Sequence, residues 1–180
     1  MAQPNIDFQL APTLVFTADA LSHFAIVGCL EPVLQLSAGK AFVTRMVLDT
    51  VTLSTHPRSI GKYLRCKALQ PVTLTPTEAR RCTQMWLEGW PGDLASSLVV
   101  AAERGWTLVY SAVPLLPSTY APVQMVSSTQ ILLLLAESDL LSLEQADHYL
   151  LLMKEQGLNS PLAAIDRLTL QRWQRHELQL

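Results

Sequence analysis

The stretch that decides the fold reads "LVFTADALSHF", from Leu14 to Phe24. An apolar run, "TLVFT" (13–17), passes straight into residues at helical spacing: Leu21, Phe24, Ala25, Val27 and Leu30. A continuous apolar strand feeding a helix is the pattern of a parallel sheet buried on both faces. In such a sheet, chemistry gathers at the strand-to-helix junction. One carboxylate stands there, Asp19, two residues past the strand's end. It reads as a catalytic acid, as the remnant of a lost site, or as a first-turn residue meeting free N–H groups and the helix dipole.

Working outward, the same alternation continues. "KAFVTRMVLDTV" (40–51) is a strand and then a short helix, and "VTL" (72–74) is a third strand. Between them, "HPRSIGKYLRCKAL" (56–69) is basic and irregular or helical. "TPTEARRCTQMWLEG" (75–89) opens with a capping box: Thr75 at the N-cap, Pro76 at the first helical position and Glu78 at the third. "DLASSLVVAAERG" (93–105) is a helix stopped by Gly105, and "WTLVYSAV" (106–113) is the next strand. A Pro-rich turn leads to "VQMV" (123–126), a last short strand. Two helices follow, over 127–141 and 142–157; the second has a Ser142–Gln145 capping box and Gly157 as its stop. Gly28 marks a weak point or a break in the first helix, and one more helix is predicted after Pro161. Strands separated by helices predict an α/β protein, with a parallel sheet covered on both faces.

The chain has 180 residues, 49% apolar and only 16% charged, with a net charge of -2. That suits one domain with a large core, with or without a partner over part of its surface. The net charge does not advertise a nucleic-acid partner, although a local basic patch remains open. The longest apolar run, Ile131–Ala136, is far too short to cross a bilayer, so no membrane partner is expected. The N-terminus lacks the pattern of a secretory signal, and a cytoplasmic location is expected. Cys29, Cys66 and Cys82 match no zinc spacing and read as ordinary reduced, buried thiols. No metal or other cofactor is read from the residues.

Several of these strings resemble the PIN domain, the fold of the toxin ribonucleases of bacterial toxin–antitoxin pairs. "LVFTADALSHFAIVGCLEPV" resembles the family's first strand and helix, and "FVTRMVLDTV" its second strand and the helix after it. "DLASSLVVAAERGWTLVYSAVPLL" resembles the acidic helix, its E-R-G stop and the following strand. "VQMVSSTQILLLLAESDLLSLEQADHYLLLMKEQGLNS" resembles the C-terminal part of one subgroup. The resemblance covers most of residues 12–158. It implies a three-layer α/β/α sandwich with a mainly parallel sheet over 1–158, and a C-terminal helical tail over 159–180.

Family chemistry implies carboxylates at the strand ends that hold Mg²⁺ or Mn²⁺ and cut RNA. This sequence departs from that pattern at each expected position. The first acid falls on Thr17, and the second on Thr50, one residue after Asp49. The third falls near Leu94 or Ser96, just after Asp93, and the paired acids fall on Ala112 and Val113, after Ser111. A one-residue slip turns a helical side chain by about 100°. Thr17, Thr50 and Ser111 retain hydroxyls able to bond phosphate, but neutral oxygens hold Mg²⁺ poorly. The resemblance therefore implies a degenerate domain without nuclease activity, kept for protein interaction or RNA binding. The alternative is a divergent Mg²⁺- or Mn²⁺-dependent ribonuclease with Asp19, Asp49 and Asp93 as its catalytic acids. A third possibility is a subunit whose partner supplies the active site.

Other candidates compete with plainer readings. Arg58, Lys62, Arg65 and Lys67, with Tyr63 among them, form a nucleic-acid-binding run or a solvated helix face. Ser96 and Ser97 lack the His and Asp of a serine hydrolase, and no phosphate-binding glycine loop occurs. Trp86, Trp90 and Trp106 read as packing residues or as an exposed partner surface. "ILLLLAESDLL" (131–141) is apolar on nearly every face, so it is buried by its own domain or by a protein partner or second copy. The tail, with Leu168, Trp173 and Leu178, docks on its own domain or on a partner.

Overall fold

The computed structural model describes residues 12–54, 57–111, 123–178 and 180; the side chains of 53–59 are not among those described. Five strands form one sheet: β1 (Leu14–Phe16), β2 (Ala41–Thr44), β3 (Gln70–Val72), β4 (Thr107–Tyr110) and β5 (Met125–Ser127). Their order is β3-β2-β1-β4-β5, and every neighbouring pair is parallel. Central β1 holds Val15 against Phe42 on one side and Leu108 on the other. The chain winds outward from β1 to β3, then returns to β4 beside β1. The order reverses there, which opens a crevice at the carboxyl ends of β1 and β4.

Helices cover both faces, giving a three-layer α/β/α sandwich as the sequence implies. They are α1 (Ala18–Ile26), α2 (Leu30–Leu36), α3 (Arg45–Ser54), α4 (Pro57–Arg65), α5 (Pro76–Leu87), α6 (Gly92–Arg104), α7 (Ser128–Glu137), α8 (Leu143–Glu155) and α9 (Arg167–Gln174). Alternation along the strands divides the core. Leu14, Phe16, Val43 and Val109 join the larger cluster, with apolar residues of α1, α2, α4, α7 and α8. Val15 and Leu108 point the other way, onto Cys82 and Met85 of α5 and Leu98 of α6. Helix α3 leaves β2 without a loop and touches both α1 and α6, so it bridges the two layers at the carboxyl edge.

The predicted first helix is two helices. Gly28 adopts a φ of 79°, in the left-handed region that costs glycine nothing, and α1 ends before it. Capping boxes close around Thr75–Glu78 and Ser142–Gln145, as read from the sequence. A third, Ser127–Gln130, opens α7.

The two open questions of packing are answered within the chain. Every residue of α7 from Ser128 to Ala136 is buried, and α2, α8, α9 and β5 pack around it. Its apolar circumference is covered by its own domain. Leu162, Ile165 and Leu178 of the tail join the same core as Leu158. Trp173 Nε1 donates to Glu137 Oε2 at 3.1 Å, which holds α9 to the end of α7.

Candidate functional site

The carboxyl ends of β1, β2 and β4 present hydroxyls. Thr17 follows β1 as the N-cap of α1 and is buried; its Oγ1 donates to Val109 O at 3.1 Å or to the adjacent Asp19 carboxylate. Asp19 lies in the first turn of α1 and accepts from Ala20 N at 2.8 Å. There its charge faces the positive end of the helix dipole. The first-turn reading of Asp19 matches this placement.

Ser111 follows β4 and is 6% exposed. Its Oγ lies 2.8 Å from His23 Nδ1 and 2.7 Å from Ser128 Oγ, at the start of α7. His23 Nε2 lies 3.3 Å from Gln156 O. A carbonyl only accepts, so in the neutral ring Nε2 carries the hydrogen and Nδ1 accepts a hydrogen bond from Ser111 Oγ. This is a serine–histidine pair, but the serine is buried and its oxygen is shared with Ser128.

At the end of β2 the hydroxyls form one directed chain. Ser96 Oγ donates to Asp93 O at 2.9 Å, so its partner Thr44 Oγ1, 2.7 Å away, donates to it. Thr44 Oγ1 accepts in turn from Val47 N at 3.3 Å, at the start of α3. Ser97 Oγ reaches Phe16 O at 2.9 Å and so ties α6 to β1. Thr44, Ser96 and Ser97 are all buried, and every described buried side-chain oxygen or nitrogen has a partner. Satisfied networks of this kind rigidify the backbone around them.

The expected acids sit at different places on this frame. Asp49 lies on the exposed face of α3 and pairs with Arg45 at 2.9 Å. Asp93 is in the first turn of α6, where its carbonyl receives Ser96 and Ser97. Thr50 is exposed on α3 and donates to Met46 O at 3.0 Å. Ala112 and Val113 lie outside the described residues, as does the side chain of Arg58. Among the described residues no three His, Cys, Asp or Glu side chains come together as metal ligands. Mg²⁺ or Mn²⁺ asks for several hard, partly anionic oxygens. The donor set here, hydroxyls committed to one another, to His23 and to main-chain groups, does not fit such an ion.

Thr44, His23 and Ser128 escaped sequence reasoning. The visible signal was the position of Thr44 and Ser128 beside strand ends, but hydroxyl residues there are common. His23 meets Ser111 only through the pairing of β1 with β4.

The other predicted patch lies at the opposite edge of the sheet. Lys62 and Tyr63 are on α4, Arg65 ends it, and Lys67 follows with a φ of 59°. The Lys62 ammonium lies 4.5 Å from the centre of the Tyr63 ring and 3.6 Å from Glu31. The three tryptophans divide: Trp106 stacks on Phe42 at 4.4 Å, Trp90 is half-buried, and Trp86 is 60% exposed beside Leu87 at 77%. Of the cysteines, Cys29 and Cys82 are buried as expected, whereas Cys66 is exposed.

The class defined by these observations is a doubly wound α/β domain whose switch point is lined by neutral hydroxyls. Comparison with protein-family models, with curated proteins and with solved structures returns no match.

Proposed function

We propose that this chain is a PIN-like domain that has lost nuclease chemistry and works by binding. The observation that carries the reading is a set of buried, hydrogen-bonded hydroxyls at the strand ends. Thr17 and Ser96 stand at positions where the resemblance implies metal-holding carboxylates, Thr44 and Ser111 lie at the neighbouring strand ends, and each is already partnered. A hydroxyl engaged in this way stabilises the carboxyl edge of the sheet and leaves little negative charge to attract a divalent cation.

On this reading the partner is a protein, met at the end of α5, where Trp86 and Leu87 stand out from the surface. Exposed aromatic anchors of this kind dominate binding energy at interfaces. The reading takes the chain as cytoplasmic. No described helix is long and apolar enough to cross a membrane.

The direct test is a Mn²⁺ titration followed by electron paramagnetic resonance. The expected result is the same weak, non-saturating uptake for the native chain and for an Asp19→Ala, Asp49→Ala, Asp93→Ala variant. Saturable uptake that the variant abolishes would replace this reading with a relocated metal centre.

A further inference from the structure

A cavity of about 590 Å³ lies at the amino-terminal edge of the sheet, away from the hydroxyl-lined crevice. It is an open cleft bordered by one face of α2, the end of α4 and the two turns that lead into β2 and β3. Both turns contain left-handed residues, Ala38 and Gly39 in one and Lys67 in the other. Gln70 Nε2 holds the first turn through Gly39 O at 3.0 Å. The volume lies within the range of about 300–1,000 Å³ that small-ligand sites occupy.

The walls are of two kinds. Leu34, Ala38 and Ala68 are apolar, while Gln35, Glu31 and the Tyr63 hydroxyl are polar, and the hydroxyl donates to Glu31 Oε2 at 3.4 Å. A heteroaromatic ring with polar edges suits both kinds of wall. Basic residues outnumber acidic ones among the lining residues and their immediate neighbours in sequence. Lys62 lines the cavity, Lys40 follows lining residue Gly39, and Arg65 and Lys67 flank lining residue Cys66. All four cations are exposed, and Glu31 is the one acid among the lining residues. The Lys62–Glu31 pair is more than half exposed on both sides, so it holds Lys62 weakly and lets it turn to a ligand.

We propose that this cavity binds a nucleotide, with the base between Tyr63 and the apolar wall and the phosphate on Lys62, Arg65 and Lys67. Basic groups beside an aromatic ring are the general means of holding phosphate and base together. The source of the nucleotide is a free nucleoside monophosphate or the phosphorylated end of an RNA. The inference goes beyond the function proposed above and does not depend on it, since the two sites lie at opposite edges of the sheet.

The test uses AMP, adenosine, inorganic phosphate and a 5′-phosphorylated oligoadenylate as probes, with the full chain. Cys66 lines the cavity and is the one exposed thiol of three, so its alkylation by N-ethylmaleimide reports occupancy. Saturating AMP is expected to slow Cys66 alkylation at least fivefold, and calorimetry to show saturable binding. Arg65→Gln combined with Lys67→Asn removes two exposed charges and keeps a residue that tolerates the left-handed turn. It is expected to weaken AMP at least tenfold and leave adenosine unchanged. Ala68→Leu, which fills the cavity, is expected to weaken both; if it does not fold, the charge variant alone decides. Oligoadenylate binding tighter than AMP and competed by it identifies an RNA end as the source; binding of AMP alone identifies a free nucleotide. No protection of Cys66 by AMP or oligoadenylate at millimolar concentration overturns the proposal. So does equal competition by inorganic phosphate, which would mean a charged surface without a base site.

Discussion

Glu78 supplies the prediction with the clearest magnitude. It is the third residue of α5, it is 2% exposed, and it does two jobs at once. Its Oε2 accepts from Thr75 N and completes the capping box. Both carboxylate oxygens also receive the Arg104 guanidinium, at 2.7 and 2.8 Å, and Arg104 reaches Thr73 O at 2.9 Å with the same fork. The Arg104 bonds, aided by the capping bond from Thr75, hold the Glu78 carboxyl at about 2 against its ordinary 4.5, while burial opposes them. That difference favours the ionised carboxylate by about 3 kcal/mol, or about 2 kcal/mol after solvent screening at the partly exposed guanidinium.

The sign follows from the lowered folded-state value. The contribution is fully present above about pH 4.5 and is lost as pH falls toward about 2. Glu78→Gln keeps the shape and much of the cap but removes the charge. It is expected to cost about 2 kcal/mol at pH 7, near 4–8 °C in melting temperature for a chain of this size. Its deficit should shrink on acidification, because protonated Glu78 in the native chain resembles Gln. Arg104→Met should cost more, about 3–5 kcal/mol, because it leaves a buried carboxylate unpaired. The assay is urea unfolding of the three proteins at pH 7 and at the lowest pH where the native chain stays folded. A Glu78→Gln deficit that is constant with pH would mean that ionisation of Glu78 does not stabilise the fold.

Three further outcomes are expected. Gly105 ends α6 at a φ of 63° with open space where a Cβ would lie, so Gly105→Ala meets backbone strain alone and should cost about 1 kcal/mol in thermal unfolding. In the folded chain at neutral pH, thiol titration should find Cys66 only, because burial pushes the Cys29 thiol up to about 12 and raises that of Cys82; denaturant should expose all three. Thr17→Asp alone should not produce RNA cleavage, because the neighbouring donors Ser111, Thr44 and Ser96 remain neutral; cleavage after that single change would show that the remaining ligands were already in place.

What was legible in the sequence was local. The Thr13–Thr17 run, the Thr75–Glu78 and Ser142–Gln145 boxes and the stops at Gly105 and Gly157 each depend on residues within one turn of one another. Those signals yield the alternation of strands and helices, and hence the sandwich. The Ser127–Gln130 box has the same form but is obscured by the adjacent Ser128 and Thr129. What was not legible depends on pairing across the chain. The strand order joins β1 to β4, and only that pairing brings His23 to Ser111 or Thr17 to Val109. The apolar circumference of α7 gave no sign of what covers it, because its cover comes from four separate elements. Arg104 likewise reads as the basic end of a helix until α5 and α6 pack and set it on Glu78.

On the proposed function, the carboxyl edge of this sheet does not cut RNA. The most direct measurement is cleavage of a mixed-sequence RNA by the purified chain with Mn²⁺ or Mg²⁺, beside the Asp19→Ala, Asp49→Ala, Asp93→Ala variant. Neither protein is expected to show metal-dependent cleavage, and the two unfolding curves should coincide. Cleavage that requires the metal and disappears in the variant would contradict that function and establish an active ribonuclease.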